Sequence, residues 1–117
     1  MATKTYRGQR GPDGCSVTVN GQPLEPRADI RAISDSAFEW GYEGGGPGHL
    51  AFAILADYFA DDARAFHHYR EFRNEIIARL DGDRWVLDSG AIERALVTPI
   101  EVPMTLEELL NKVRGRP

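Results

Sequence analysis

The sequence predicts an α+β fold: a small antiparallel sheet packed on a buried central helix, a long amphipathic helix and a short C-terminal helix. Three observations carry that reading. Ser16-Val17-Thr18-Val19 is strand-like by its β-branched content and runs straight into Asn20-Gly21. That dipeptide suits a type I′ hairpin, because both central residues of such a turn take positive φ. Leu50-Ala51-Phe52-Ala53-Ile54-Leu55-Ala56 is apolar nearly all round, as expected of a helix enclosed by its neighbours. From Ala63 to Leu80 apolar residues recur at three and four positions, with arginines and glutamates between them.

The elements follow in chain order. Thr3-Lys4-Thr5-Tyr6-Arg7 alternates weakly and reads as a first strand, whereas Gly8, Gly11, Pro12 and Gly14 mark 8–14 as a turn. The return arm of the hairpin, Gln22-Pro23-Leu24, is short. Pro23 cannot donate to a ladder, which assigns this arm to a sheet edge. Residues 25–36 form a polar connector in which Ile30 and Ile33 are available to the core. Phe38-Glu39-Trp40-Gly41-Tyr42 has a period of two, so in an extended segment its three rings share one face. Pro47 suits the first position of the central helix, where a missing N–H costs nothing.

Asp61 or Asp62 caps a second helix of about five turns, with Ala63, Phe66, Tyr69, Ile76, Ile77 and Leu80 on its apolar side. Asp81-Gly82-Asp83 ends it, and Arg84-Trp85-Val86-Leu87 is a short strand. Ser89 is placed to cap a brief helix through Leu96, and Pro99 and Pro103 bracket an extended piece. Thr105 and Glu108 form a capping box for a last helix carrying Leu106, Leu109, Leu110 and Val113.

At 117 residues the chain predicts one globular domain over 1–117, large enough to fold without a metal or disulfide. Apolar residues at 42% and charged residues at 27% exclude a collagen or a low-complexity chain. No run approaches the roughly 20 apolar residues that span a bilayer, which excludes a membrane partner. Met1 to Gly8 lacks the apolar core of a signal peptide, and Cys15 has no second cysteine to join; both favour a reducing cytoplasm.

Fourteen Lys and Arg against eighteen Asp and Glu give a net charge of −4, which disfavours nucleic acid as a direct partner. The charge is uneven. Asp29, Asp35, Glu39, Glu43, Asp57, Asp61 and Asp62 face only Arg31 within 29–62. Such a segment is either a solvated face or an acidic patch for a basic partner.

The unusual feature is the stretch Trp40-Gly41-Tyr42-Glu43-Gly44-Gly45-Gly46-Pro47-Gly48-His49, a glycine-rich turn entering a helix. Free N–H groups and the helix dipole make such a junction suited to anions. A P-loop would need Lys and then Ser or Thr after the last glycine, and a dinucleotide fingerprint would need glycine at His49. Three readings stand: a tight reversal with Trp40 and Tyr42 in the core, a cradle for a small anionic ligand, or a partner-recognition loop. The candidate binding residues are Trp40, Tyr42, Glu43, Gly44, Gly45, Gly46 and His49, with Asp61 and Asp62 on the acidic face. An enzymatic reading would need His49, Tyr42 and Glu43 to converge.

The run Phe38 to Tyr42, Gly44, Gly46-Pro47, Leu50-Ala51 and Ala53 to Asp57 resembles a small family of uncharacterised bacterial, plasmid and phage proteins that share a W-G-Y-x-G-x-G-P-x-x-L-A signature. Tyr69, Phe72 and Trp85-Val86-Leu87 fit the same pattern. Members commonly carry Ser and Gln where this chain has Gly45 and His49. The resemblance implies an accessory role on a mobile element and no established activity.

Other chemistry is weakly signalled. His67 and Glu71 share a helical face as a metal pair would, but His49 is the only histidine outside the His67-His68 pair. Cys15 lies in a turn with no base beside it in sequence. Arg64, Arg70, Arg73 and Arg79 alternate with Glu71 and Glu75, as on a mixed-charge solvent face. No metal site, catalytic set or cofactor is indicated. The expectation is a non-catalytic interaction protein that binds another protein, such as a component of a host defence complex. The alternative is an anionic-ligand or nucleotide module at Gly44–Gly48. A homo-oligomer is compatible with either. Ala at Gly46 should harm the fold only if that residue takes positive φ. Charge reversal at Asp61 and Asp62 should leave the fold intact.

Overall fold

The computed structural model describes residues 3–27 and 37–101, the last five through their backbone alone. Four strands, β1 (Thr5–Gly11), β2 (Gly14–Val19), β3 (Gln22–Pro23) and β4 (Arg84–Asp88), form one antiparallel sheet in the order β3-β2-β1-β4. Among the described residues three α-helices complete an α+β fold: α1 (Gly45–Phe59), α2 (Asp62–Glu75) and α3 (Ser89–Glu101).

The Asn20-Gly21 turn forms as its residues dictate, with φ of 50° and 85°. The Asn20 side chain also accepts from the Thr5 N–H at 2.9 Å, which ties the turn to β1. Pro23 sits on β3 at the edge of the sheet, paired with Thr18. The first strand is longer than its alternation suggests: β1 continues through Gly8 to Gly11, and only Pro12-Asp13 turns. Gly8 belongs to the sheet because Trp85, its register partner on β4, covers it. That partner is too far along the chain to be seen locally.

Alternation turns Tyr6 and Val17 inward with Trp85, onto a core shared with α1. Every residue of α1 from Gly46 to Ala56 is buried. The helix opens at Gly45, two residues before Pro47, which still lies where no N–H is needed. It packs chiefly on α2, with Phe52 edge-on to Tyr69 at 6.1 Å. Ala60 takes φ 55° to reverse the chain, and Asp61 then caps α2, its Oδ1 accepting from the N–H groups of Ala63 and Arg64.

α2 stops at Glu75 instead of running to Leu80; Ile76 leaves the helix and Ile77–Arg79 form one 3₁₀ turn. The Ile77 carbonyl accepts from the Leu80 N–H at 3.2 Å within that turn and from the Gly41 N–H at 3.0 Å, a tertiary bond that ties the turn to the aromatic–glycine segment. Phe66, expected on the apolar side, is 50% exposed. The cap of α3 is Asp88, which accepts from the Ala91 N–H, whereas the Ser89 hydroxyl accepts from the Lys4 N–H. α3 runs past Leu96 and through Pro99 to Glu101, so one proline costs a hydrogen bond without ending the helix. Asp29, Ile30, Arg31, Ile33, Asp35 and the Thr105–Glu108 capping box lie outside the described residues.

Candidate functional site

The aromatic–glycine segment is not a strand. Residues 37–44 have no regular structure, and Gly41 at φ 94° breaks the alternation that would set three rings on one face. Trp40 turns inward. Its Nε1 donates to the Gly82 carbonyl at 2.9 Å, and its ring meets Trp85 edge-on at 5.6 Å. Tyr42 turns outward and is 52% exposed, beside an exposed Glu43.

Arg10 clamps this arrangement from β1. Its guanidinium lies 4.6 Å over the Trp40 ring and donates to Glu39 at 2.7 Å and Asp83 at 3.1 Å. The Arg10 bond holds the Glu39 carboxyl below the usual glutamate range, helped by the Trp40 N–H. Cys15, opposite Arg10 in the hairpin, has its thiol pushed up by burial and then by Glu39, so it stays protonated and is a poor nucleophile at neutral pH.

Two of the glycines at the head of α1, Gly44 and Gly46, are closed in by the chain itself. The Tyr42 ring lies over Gly44, where an added Cβ would come 2.5 Å from Tyr42 Cε2. A Cβ on Gly46 would meet the Ala37 carbonyl at 2.8 Å and Glu39 Cβ at 2.9 Å. Gly44 is half-buried and takes the N-cap position in extended conformation with no side-chain cap; Gly45 is exposed, while Gly46 to Gly48 are buried. His49 is buried, its ring edge-on to Phe38 at 5.1 Å and its Nε2 against the Pro26 carbonyl. A carbonyl only accepts, so that nitrogen carries the hydrogen.

The acidic residues are largely engaged within the chain. Glu39 pairs with Arg10 and Asp62 with Arg27 at 2.7 Å. Asp57 accepts from the Tyr6 hydroxyl at 2.7 Å and from Lys4 at 3.1 Å. Asp61 serves as a cap. The loop and the Asp61-Asp62 pair lie at opposite ends of α1, separated by about 22 Å of helix. The two halves of the candidate set therefore form separate places.

Sequence reasoning missed the polar cluster at the C-terminal end of α1. Lys4, Asp57, Tyr58, Ser89 and Glu93 border a cavity of about 520 Å³ there. Burial and the bond to Asp57 push the Tyr6 phenol well above its ordinary range, and burial and Glu93 raise Tyr58, so both stay protonated. Asp57 stands out in the sequence only as one acid of the segment 29–62 and as the end of the run Ala53 to Asp57, and neither places it beside Lys4, Tyr6 or Ser89. His67 and His68 meet at 4.8 Å, and burial, His67 and Arg64 lower His68. Among the described residues no group of three His, Cys, Asp or Glu could hold a metal ion, and no helix is long and apolar enough to cross a membrane.

Fold and loop define a small α+β protein organised around a clamped aromatic–glycine turn. Residues 6–98 match the family of unknown function DUF6166, and the chain belongs to that family. No curated protein and no solved structure matches it.

Proposed function

We propose that this chain is a non-catalytic interaction protein that binds another protein through the outer tip of the aromatic–glycine loop, at Tyr42 and Glu43. The observation that carries the reading is the exposure of Tyr42 on a loop whose root, Trp40, is fixed by Arg10, Gly82 and Trp85. An aromatic ring presented on a rigid loop supplies contact area at small ordering cost. Glu39 is engaged by Arg10, Asp57 by Lys4 and Tyr6, and Asp61 and Asp62 lie at the far end of α1, so Glu43 is the exposed acid beside Tyr42 on this loop. An accessory role on a mobile element, against a host defence complex, is part of this proposal and rests on the resemblance; its cytoplasmic setting rests on Cys15 having no second cysteine to join.

The test is affinity capture from the native host with quantitative mass spectrometry. A stoichiometric partner should be retained by wild type and by Phe66→Ala and lost with Tyr42→Ala. Equal recovery with Tyr42→Ala removes the loop from the reading. The anionic-ligand alternative predicts stabilisation by phosphate or a nucleotide, about 2.7 kcal/mol at a hundredfold excess over Kd. Of the glycines it needs, Gly44 is covered by Tyr42, and Gly46 is closed in by Ala37 and Glu39.

A further inference from the structure

The sheet has two faces, and the helices use one. On the other, the strand register sets two rows: Thr18, Arg7 and Val86, then Ser16, Gln9 and Arg84. Arg7, Gln9, Ser16, Arg84 and Val86 are exposed, and these rows border a shallow hollow of about 270 Å³. Arg7 and Arg84 are diagonal neighbours on adjacent strands, about 7–8 Å apart at the backbone. Among the described residues neither has an ion-pair partner. Asp88, the acid at the margin of this face, accepts from the Ala91 N–H as the cap of α3. A chain of net charge −4 thus presents one face whose central charges are two unpaired guanidinium groups among hydroxyl and amide donors.

We propose that this outer sheet face docks an acidic segment of a partner protein, with Arg7 and Arg84 each taking a carboxylate and Val86 an apolar side chain between them. The proposal rests on the interaction-protein reading above and adds a second surface and the chemistry of its occupant. Guanidinium forks bind carboxylates in two-point fashion, and the planar fork loses less freedom per hydrogen bond formed than a lysine ammonium does. A second copy docking through the same face would bring arginine against arginine. Single-stranded nucleic acid would look for aromatic stacking platforms, and these two rows have none.

The experiment is fluorescence anisotropy of the intact protein with three labelled probes: a glutamate-rich dodecapeptide, a lysine-rich dodecapeptide and a twelve-residue oligothymidylate. The acidic peptide should bind and the lysine-rich one should not. Arg7→Glu with Arg84→Glu should weaken binding at least tenfold, Arg7→Lys with Arg84→Lys by less, and Arg79→Glu on the helical side hardly at all. Thermal melts of the same variants should match wild type, since both side chains are exposed. Failure of the acidic peptide to bind, binding unchanged by the double reversal, or tighter binding of the oligonucleotide overturns the proposal. Self-association abolished by the double reversal overturns it too, in favour of a second copy. The Tyr42→Ala capture experiment reads the loop independently, so the two readings fail separately.

Discussion

Trp85 occupies the space that a side chain on Gly8 would need. A Cβ added at Gly8 would fall 2.2 Å from Trp85 Cε2 and 2.3 Å from Nε1. The indole cannot step aside, because its other neighbour is the Trp40 ring. Gly8→Ala should therefore cost about 1–3 kcal/mol through overpacking alone. Urea denaturation measures the loss. Trp85→Leu made in the Gly8→Ala background should be less damaging than in wild type, and purely additive effects would disprove the contact.

The same pair explains which parts of the fold were legible. Asn20-Gly21 is read correctly from two residues, because a type I′ turn is a local requirement. The central helix is equally plain, since Gly46 to Ala56 is buried without a break. Gly8 looks like a turn residue because its partner lies 77 positions further on. Tyr42 looks like a core ring because nothing local says that Gly41 will take φ 94° against Ile77 and Leu80. The acidic segment looks like a free patch for the same reason: Arg10, Arg27 and Lys4 reach Glu39, Asp62 and Asp57 from distant positions. The candidate loop was legible as a place, and the orientation of its rings was decided by the tertiary structure.

Glu39 gives the fold an acid-side dependence. Its carboxyl is held below the ordinary range by the Arg10 hydrogen bond, against the opposing effect of burial. A depressed carboxylate contributes stability that is fully present above its unfolded value of about 4.3 and is lost as pH falls through the folded value. Glu39→Gln should thus lower Tm at pH 7 and make less difference the further the pH drops below 4. Both side chains are about one-third exposed, so the effect at neutral pH should be modest and should shrink in high salt. Melting curves from pH 2.5 to 7 for the two proteins decide this. A Tm gap independent of pH would mean that Glu39 contributes no charge interaction.

Asp61 and Asp62 are unequal, and charge reversal there is not harmless. Asp61 accepts from two N–H groups at the start of α2, at 3.0 and 3.2 Å. Asp61→Ala should cost about 1 kcal/mol, and Asp61→Asn much less, because asparagine keeps the accepting oxygen. Asp62 pairs with Arg27 at the surface, where such a pair is worth roughly 0–1 kcal/mol. Guanidinium denaturation of the three single variants should rank Asp61→Ala as the most damaging. An equal cost for Asp61→Asn would show that charge, not capping, is what Asp61 supplies.

Two glycines in the first turns of α1 should respond in opposite directions. Gly46 is not among the positive-φ glycines, so the criterion of φ alone predicts that alanine is tolerated there. Space demands glycine all the same. An added Cβ would sit 2.8 Å from the Ala37 carbonyl, and the backbone at 37–39 would have to retreat, loosening the anchorage of Glu39 on Arg10. Gly48 differs: its added Cβ would rest 3.6–3.7 Å from Arg73 and Tyr69, an ordinary contact. Alanine is favoured over glycine by up to about 1 kcal/mol within a helix. Gly46→Ala should then lower the midpoint of unfolding and brighten or shift the Trp40 fluorescence as its surroundings open. Gly48→Ala should hold or raise the midpoint with the spectrum unchanged. A Gly46→Ala protein as stable as wild type would mean that residues 37–39 do not seat against α1, and the fixed root of the Tyr42 loop would go with them.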